Sequence, residues 1–203
     1  TTRATCSRTV GSGATPARRD CASAFLAGCD GKLHIIDVER GEPIGHVDIG
    51  APTGSTPAAR GDRVFFGTEG GTFLGVDWKK SQLIWKFQSE RGQSFRASAA
   101  VTENRVVFGG RDKQLYAADP RTGDIVWKFR TQGRIDSSPI IAGPHVVFGS
   151  SDGRLYALDA QTGEPVWEPY DAGGGFIGSP AVAKGRLVIG NEDGTLYCFG
   201  ERR

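Results

Sequence analysis

The sequence predicts an all-β protein, a β-propeller of four-stranded antiparallel blades, and three observations support this prediction. Similar motifs return every 40 to 42 residues, so about five copies fill the 203 residues. Glycine accounts for 30 residues, about twice its average share, and it favours tight turns over helices. No segment of 11 residues keeps a 3.6-residue apolar period, so we expect almost no helix.

Each copy contains signals for four short strands. The first strand follows a small residue or proline, at Pro57, Ala99, Pro139 and Pro180. The second is a β-branched and aromatic run that ends at a marker position, held by Ala27, Gly67, Gly109, Gly149 and Gly190. A two-residue turn follows, as at Asp152-Gly153, because Asp and Gly tolerate the positive φ of tight hairpins.

The second half of each copy adds a third strand, a turn and a fourth strand. The third strand ends at an aspartate in four copies, at Asp37, Asp77, Asp119 and Asp159. In two of them the turn reads D-x-x-T-G, where Asp accepts hydrogen bonds from backbone amides and Gly takes the left-handed position. The fourth strand carries a tryptophan in three copies, at Trp85, Trp127 and Trp167. We interpret these tryptophans as structural, since a residue that recurs once per blade packs blades together.

The whole chain, residues 1–203, is predicted to form one propeller domain. Its approximate repeats are 15–55, 56–97, 98–137, 138–178 and 179–200. The last copy ends after its third strand, and residues 1–10 are candidates to complete that blade. Either the chain closes a five-bladed ring or it is an arc of a larger propeller. The absence of Met favours a processed or partial chain, and an incomplete propeller would be prone to self-association.

The repeat motif resembles a known family of propeller repeats. Its consensus, [SA]-P-x-x-x-G-x-x-[VF]-x-G-x-x-D-G-x-L-Y-A-x-D-x-x-T-G-x-x-x-W, is similar to the PQQ-like repeat from about Thr15 to Gly200. Quinoprotein dehydrogenases and the outer-membrane-protein assembly lipoprotein share this repeat. For a PQQ enzyme the resemblance implies an adjacent Cys-Cys pair, calcium ligands and a catalytic Asp, and this sequence has no Cys-Cys pair. We therefore predict no cofactor, with PQQ and calcium expected only in a quinoprotein.

The other candidate chemical groups are assigned structural roles. The four cysteines have no C-x-x-C spacing, which argues against zinc and leaves their pairing open. The four repeat aspartates are explained by turns, and Gly173-Gly174-Gly175 lacks the context of a phosphate loop. His34 and His145 have no carboxylate, Ser or Cys partner at a useful spacing, so no catalytic or metal residues are assigned. Trp78, in a turn, is a weak candidate for an exposed contact.

The variable connections between blades are the best candidates for a binding surface, since function usually lies on loops of a rigid scaffold. Five residues in them are predicted binding-face residues: Phe95, Arg96, Arg134, Asp136 and Phe176. We expect Arg96 and Asp136 to pair near the propeller axis, with Phe95 and Phe176 as apolar contacts.

These signals predict a non-catalytic interaction scaffold, periplasmic or otherwise extracytoplasmic, that binds a protein or peptide partner. The alternatives are a quinoprotein oxidoreductase or a fragment of one, and the sensor domain of a larger receptor. The net charge is +2, which gives no drive toward nucleic acid. No apolar run is long enough for a transmembrane helix.

Overall fold

The computed structural model describes residues 4–6 and 23–200, and no helix occurs in these ranges. The strands form five antiparallel sheets, called blades 1 to 5 in chain order. The predicted all-β fold of four-stranded blades is therefore confirmed, with three strands described in the last blade.

The strands of the first three blades are as follows. Blade 1 contains β1 (Ala4–Cys6), β2 (Ser23–Ala27), β3 (Lys32–Asp37) and β4 (Glu42–Asp48). Blade 2 contains β5 (Ala58–Arg60), β6 (Arg63–Gly67), β7 (Thr72–Asp77) and β8 (Gln82–Gln88). Blade 3 contains β9 (Ala100–Val101), β10 (Val106–Gly109), β11 (Gln114–Ala118) and β12 (Ile125–Arg130).

The last two blades differ in their fourth strand, which is short in blade 4 and is not among the described strands of blade 5. Blade 4 contains β13 (Ile140–Ala142), β14 (His145–Gly149), β15 (Arg154–Asp159) and β16 (Tyr170–Asp171). Blade 5 contains β17 (Ala181–Ala183), β18 (Arg186–Gly190) and β19 (Leu196–Gly200). Pro165 and Pro169 shorten the fourth strand of blade 4, because proline cannot donate to a ladder.

Strand β1 lies in blade 1, where Ala4 is opposite Leu26 of β2. The expectation that residues 1–10 complete the last blade is wrong for Ala4–Cys6, and the remaining residues of this segment lie outside the described ranges. The physical reason is local. The edge of β2 that faces away from β3 has its own N–H and C=O groups to satisfy, and β1 pairs with them.

The core lies between blades. Neighbouring residues of a strand point to opposite faces, so Phe66 packs with blade 1 while Phe65 packs with blade 3. Both faces of the second and third strands of blades 2 to 4 are covered in this way, which explains their uninterrupted apolar runs. Four core clusters result, and each joins two consecutive blades.

Tryptophans of the fourth strands seal two of these junctions. The indole of Trp85 lies on Gly123 of the next blade's turn, and its Nε1 donates to the carbonyl of Pro120 at 3.2 Å. Trp127 lies on Gly163 in the same way. A Cβ at either glycine would be 2.6 Å from the indole ring, so the turn needs glycine there.

The junction between blades 1 and 2 uses the reverse arrangement. Gly45 takes the tryptophan position of β4, and Ser81 takes the glycine position of the facing turn. Trp78, which directly follows Asp77 at the start of that turn, packs edge-on against Phe25 with ring centroids 5.5 Å apart. Its Nε1 donates to the carbonyl of Gly61 at 2.9 Å. Trp78 is therefore partly buried and has a packing role at this junction.

Hydrogen bonds also join the segments that enter consecutive blades. The amide of Thr56 donates to Ser98 Oγ at 3.0 Å, that of Ser98 to Ser138 Oγ at 3.0 Å, and that of Ser138 to Ser179 Oγ at 3.1 Å. These residues stand directly before the proline or alanine of the repeat motif. The serine of the motif thus ties one blade to the next.

The far face of blade 5 is open. In the described ranges no core cluster joins blade 5 to blade 1. On the far face of blade 5, Leu196 is 71% exposed and Cys198 is also exposed. Trp167 is 45% exposed, unlike its buried counterparts Trp85 and Trp127. Contacts that would close blades 1 to 5 into a ring are therefore not detected in the described part of the chain, which is compatible with an arc.

Candidate functional site: the loop face

One end of the arc carries the variable loops. Antiparallel pairing places the hairpin between the second and third strands at the same end of each blade as the connection to the next blade. We call this end the loop face. Backbone hydrogen bonds confirm the contact between them: Phe95 N donates to Thr68 O and Arg111 N donates to Ser94 O. Each connection is thus held between the hairpins of two consecutive blades, which makes it rigid.

Apolar residues of the connections anchor them to the blades. Phe95, Ile135 and Phe176 are fully buried. A Cβ at the marker glycines Gly67 or Gly109 would lie 2.2 to 2.3 Å from these side chains, so the marker glycines make room for them. Phe95 and Phe176 are therefore core residues, and their predicted role as contacts on the binding face is wrong.

A charged cluster occupies the loop face between blades 3 and 4. Arg111 binds Asp136 through two parallel hydrogen bonds, Nε to Oδ1 at 2.8 Å and Nη2 to Oδ2 at 2.9 Å. Arg134 Nε approaches Asp136 Oδ2 at 3.0 Å. The Asp136 side chain is 14% exposed, whereas that of Arg134 is 50% exposed. The hydrogen bond to Asp136 raises the pKa of Arg111 above its ordinary value, with desolvation opposing it.

A second ion pair lies on the loop face between blades 2 and 3. Arg96 Nε is 2.8 Å from Glu69 Oε1 and 3.0 Å from Oε2, and the Arg96 side chain is 46% exposed. Gly54 lies beneath this pair, since a Cβ there would be 2.7 Å from Glu69 Oε1. The connection before blade 2 is thus shaped to admit the carboxylate.

The expected pairing of Arg96 with Asp136 is wrong. Each residue instead pairs within its own junction, with the hairpin of the preceding blade. Glu69 is the partner of Arg96, and Arg111 is the partner of Asp136. Each of these partners lies in the hairpin that contacts the same connection, whereas Arg96 and Asp136 belong to different junctions. The structure nevertheless brings three of the predicted residues, Arg96, Arg134 and Asp136, to one face of the arc.

Glu69 and Arg111 are site residues that the sequence analysis missed. Both occupy the same hairpin position, which holds four different residue types in five copies: Cys29, Glu69, Arg111, Ser151 and Glu192. That variation, within a hairpin otherwise built from repeated residues, was the available signal. The charges of the two pairs are exchanged. The hairpin supplies the acidic residue in blade 2 and the basic residue in blade 3.

The hairpin aspartates hold the loop face together. Asp152 Oδ2 accepts from Tyr156 OH at 2.9 Å and from the amides of Gln132 and Gly133 in the preceding connection. Tyr116 OH donates to Asp112 Oδ2 at 2.6 Å in blade 3. Desolvation is the main cause that raises the pKa of both tyrosines, that of Tyr156 to about 12. These pairs are structural links between hairpin and connection.

His34 forms the corresponding pair in blade 1. Its Nε2 lies 2.6 Å from Asp30 Oδ2, so the prediction that His34 has no carboxylate partner is wrong. This hydrogen bond lowers the pKa of Asp30. Because His34 replaces Tyr116 and Tyr156 in an otherwise identical arrangement, the pair has the same structural explanation.

Glycines 173 to 175 form a closely packed connection. A Cβ at Gly174 would overlap the carboxylate of Asp193, and one at Gly175 would lie 2.4 Å from Glu192 Oε2. The hairpin of blade 5 therefore occupies the space over these glycines, which accounts for their composition without a phosphate.

The repeat aspartates lie at the opposite end of the blades, called the turn face. Asp159 Oδ1 accepts from the amides of Gln161 and Thr162, and Asp37 Oδ1 from those of Glu39 and Arg40. The turn amides are the main cause that lowers the pKa of Asp159. They act as turn-forming groups in separate blades.

The sequence has no adjacent cysteine pair, and in the described ranges no three His, Cys, Asp or Glu side chains are grouped to hold a metal ion. Among the same residues no helix is long and apolar enough to cross a membrane.

Comparison with solved structures shows the fold. BamB from Moraxella catarrhalis superposes with a TM-score of 0.77 and 21% identity, over 88% of this chain and 58% of BamB. The computationally designed Ika8 protein gives a TM-score of 0.76 and 19% identity, over 90% of this chain and 56% of Ika8. The designed Ika4 protein gives 0.64 and 21%, over 74% of this chain and 92% of Ika4. The chain thus spans little more than half the length of BamB and Ika8.

Sequence comparison shows the family. No protein with curated annotation matches the chain. The family described as outer membrane protein assembly factor BamB matches residues 81–200, which is more than half of the chain. These residues contain the repeats of blades 3 to 5 and the charged cluster of the loop face. The chain therefore belongs to the BamB family of PQQ-like propeller proteins.

Proposed function

We propose that the chain is a non-catalytic scaffold for outer-membrane protein assembly, and that its loop face binds a protein partner. The observation that carries this proposal is the pair of half-exposed arginines, Arg96 and Arg134, held in place by more buried carboxylates. Membership of the BamB family supports the assembly role. A periplasmic location is part of the proposal, since outer-membrane proteins are assembled from that side.

The charge distribution of the loop face suits a partner with acidic side chains. In the Asp136 cluster two arginines share one carboxylate, which leaves one positive charge uncompensated. Bidentate pairing fixes Arg111, so Arg134 is the more exposed guanidinium and is free to turn its remaining N–H groups outward. A guanidinium that is already ordered loses less entropy on binding, and this preorganisation favours affinity.

Photocrosslinking in the cells that produce the protein tests this proposal. A photoreactive residue replaces Gln132, which is exposed in the same connection as Arg134. The matched control replaces Asn104, which is exposed on the turn face of blade 3. We expect position 132, but not position 104, to give an adduct with a component of the outer-membrane protein assembly machinery.

A second variant connects the adduct to the arginine. Adding Arg134→Gln should reduce the adduct at position 132 on the order of tenfold, since one charge-assisted pair is lost. Equal adducts from positions 132 and 104, or an adduct that Arg134→Gln leaves unchanged, would contradict the proposed binding surface.

The proposed scaffold works without a redox cofactor. Support comes from the sequence, which lacks the adjacent Cys-Cys pair expected of a PQQ enzyme. An absorbance titration of the purified chain with PQQ and calcium checks this. Stoichiometric binding of PQQ would favour the oxidoreductase alternative.

A further inference from the structure

A cleft on the turn face separates blades 2 and 3, at the opposite end from the loop face. It has a volume of about 300 Å³. Phe65, Val101 and Pro120 form its apolar wall, while Arg60 and Arg63 supply positive charge. The proposed scaffold function makes no use of this cleft.

Arg60 and Arg63 form a cross-strand pair of like charges. They are directly opposite each other in β5 and β6, so their side chains lie on the same face of blade 2. Like charges at directly opposed positions destabilise a sheet. Neither guanidinium has an ion pair or a hydrogen bond with any residue in the described ranges.

The arginine pair departs from the repeat. Blades 3 and 5 also have an arginine at the Arg63 position and blade 4 has a histidine, but the residue across from each is neutral. These pairs are Thr102 with Arg105, Ala142 with His145 and Ala183 with Arg186. Blade 2 is therefore unusual among blades 2 to 5 in placing two guanidiniums together, and this is the blade that borders the cleft.

The acidic residues of the cleft do not neutralise the pair. Asp62 Oδ1 is 2.8 Å from Lys79 Nζ, and Asp77 Oδ2 is 3.8 Å from Lys80 Nζ. Asp77 also accepts from the amide of Lys80. Glu103 is the remaining carboxylate that lines the cleft. Glu103 also interacts electrostatically with Arg121, so each carboxylate of the cleft has a basic neighbour other than Arg60 and Arg63.

We propose that this cleft binds a phosphate group through Arg60 and Arg63. A phosphate carries about two negative charges near neutral pH and presents several acceptor oxygens, so it can engage two guanidiniums from different directions. It would replace the repulsion between the arginines with two charge-assisted contacts. The wall formed by Phe65, Val101 and Pro120 accommodates a small apolar body attached to that group.

Calorimetric titration of the purified chain with inorganic phosphate, at constant ionic strength, tests the proposal. We expect saturable binding of one phosphate, with a dissociation constant on the order of 1 mM. Arg60→Gln and Arg63→Gln should each weaken it on the order of tenfold. Because Arg60 is exposed, the first variant should leave folding intact, and an unchanged urea midpoint verifies this.

Arg186→Gln is the matched control, because Arg186 occupies the same position in blade 5 opposite the neutral Ala183. It removes the same net charge and should leave phosphate affinity unchanged. The proposal is overturned if phosphate fails to bind, if Arg60→Gln binds as well as wild type, or if Arg186→Gln weakens binding equally.

Discussion

Gly41, Ser81, Gly123 and Gly163 occupy one turn position in four consecutive blades, yet their surroundings differ. The backbone has positive φ at all four positions. An indole covers Gly123 and Gly163, whereas nothing lies within 4 Å of a Cβ built on Gly41. Ser81 tolerates a side chain because the facing residue is Gly45. The residue at this position is therefore set by backbone conformation and by the side chain that the preceding blade places over it.

This contrast predicts unequal costs for one substitution. Gly41→Ala should lower the free energy of unfolding by about 1 to 2 kcal/mol, the cost of positive φ in a residue with a Cβ. Gly123→Ala adds overlap with Trp85, for a total of about 2 to 4 kcal/mol. Urea denaturation of the two variants measures both values. Equal losses would show that Trp85 does not press on the turn.

The buried tyrosines predict a loss of stability at alkaline pH. Folding raises the pKa of Tyr116 and raises that of Tyr156 to about 12, so the folded state holds these protons more tightly than the unfolded state. Their stabilising contribution is fully present below the unfolded pKa of about 10 and is lost as pH rises from there toward the folded pKa.

Urea denaturation between pH 8 and pH 12 measures this effect, with the Tyr116→Phe/Tyr156→Phe double variant for comparison. The double variant should start with lower stability because Asp112 and Asp152 each lose the hydrogen bond from a tyrosine. Its stability should then fall less steeply above about pH 10. Parallel pH curves for the two proteins would contradict the assigned cause.

At the scale of the element, each blade depends on its neighbours for burial. The strands of blade 3 are covered by blade 2 on one side and blade 4 on the other. Trp127 belongs to blade 3 but completes the junction with blade 4, where it is buried over Gly163. Its counterpart Trp167 is half-exposed. The two tryptophans occupy the same strand position but are therefore expected to contribute different amounts to the free energy of unfolding.

Replacing each tryptophan by alanine measures how much the buried and the half-exposed side chain stabilise the fold. Trp127→Ala should cost about 3 to 5 kcal/mol, the range for removing a buried aromatic side chain. Trp167→Ala should cost about 1 kcal/mol or less, since much of its surface is already in water. Hydrogen exchange at blades 3 and 4, compared with urea denaturation, shows whether the loss is confined to that junction. Equal losses in the two variants would contradict the assigned packing.

Strands and turns were predictable because they follow from local patterns. The β-branched runs, the Asp-Gly hairpins and the D-x-x-T-G turns each appear within a few residues, and the repeat multiplies the signal. The reversed junction at Gly45, Ser81 and Trp78 could not be read in this way, because it depends on contacts between blades. The same holds for Arg96, whose partner Glu69 is 27 residues away. The variable connections indicated the correct face, but the packing of each hairpin on its connection determines which residues pair.

At the scale of the whole molecule, the five blades hold two chemically different ends. The loop face presents Arg96 and Arg134 on connections fixed by buried side chains and backbone hydrogen bonds. The turn face carries the Asp turns and the Arg60–Arg63 cleft. A scaffold of this kind needs no internal motion to bind a partner, because its loops are already ordered. Partner binding and phosphate binding are therefore expected to be independent.

Substituting both loop-face arginines tests the central claim most directly. The fraction of the chain that co-purifies with outer-membrane protein assembly components is compared for wild type, Arg96→Gln/Arg134→Gln and the turn-face control Arg186→Gln, after equal urea midpoints are verified. The account predicts a loss of on the order of tenfold or more in the double variant and none in the control. Undiminished co-purification of the double variant would contradict it.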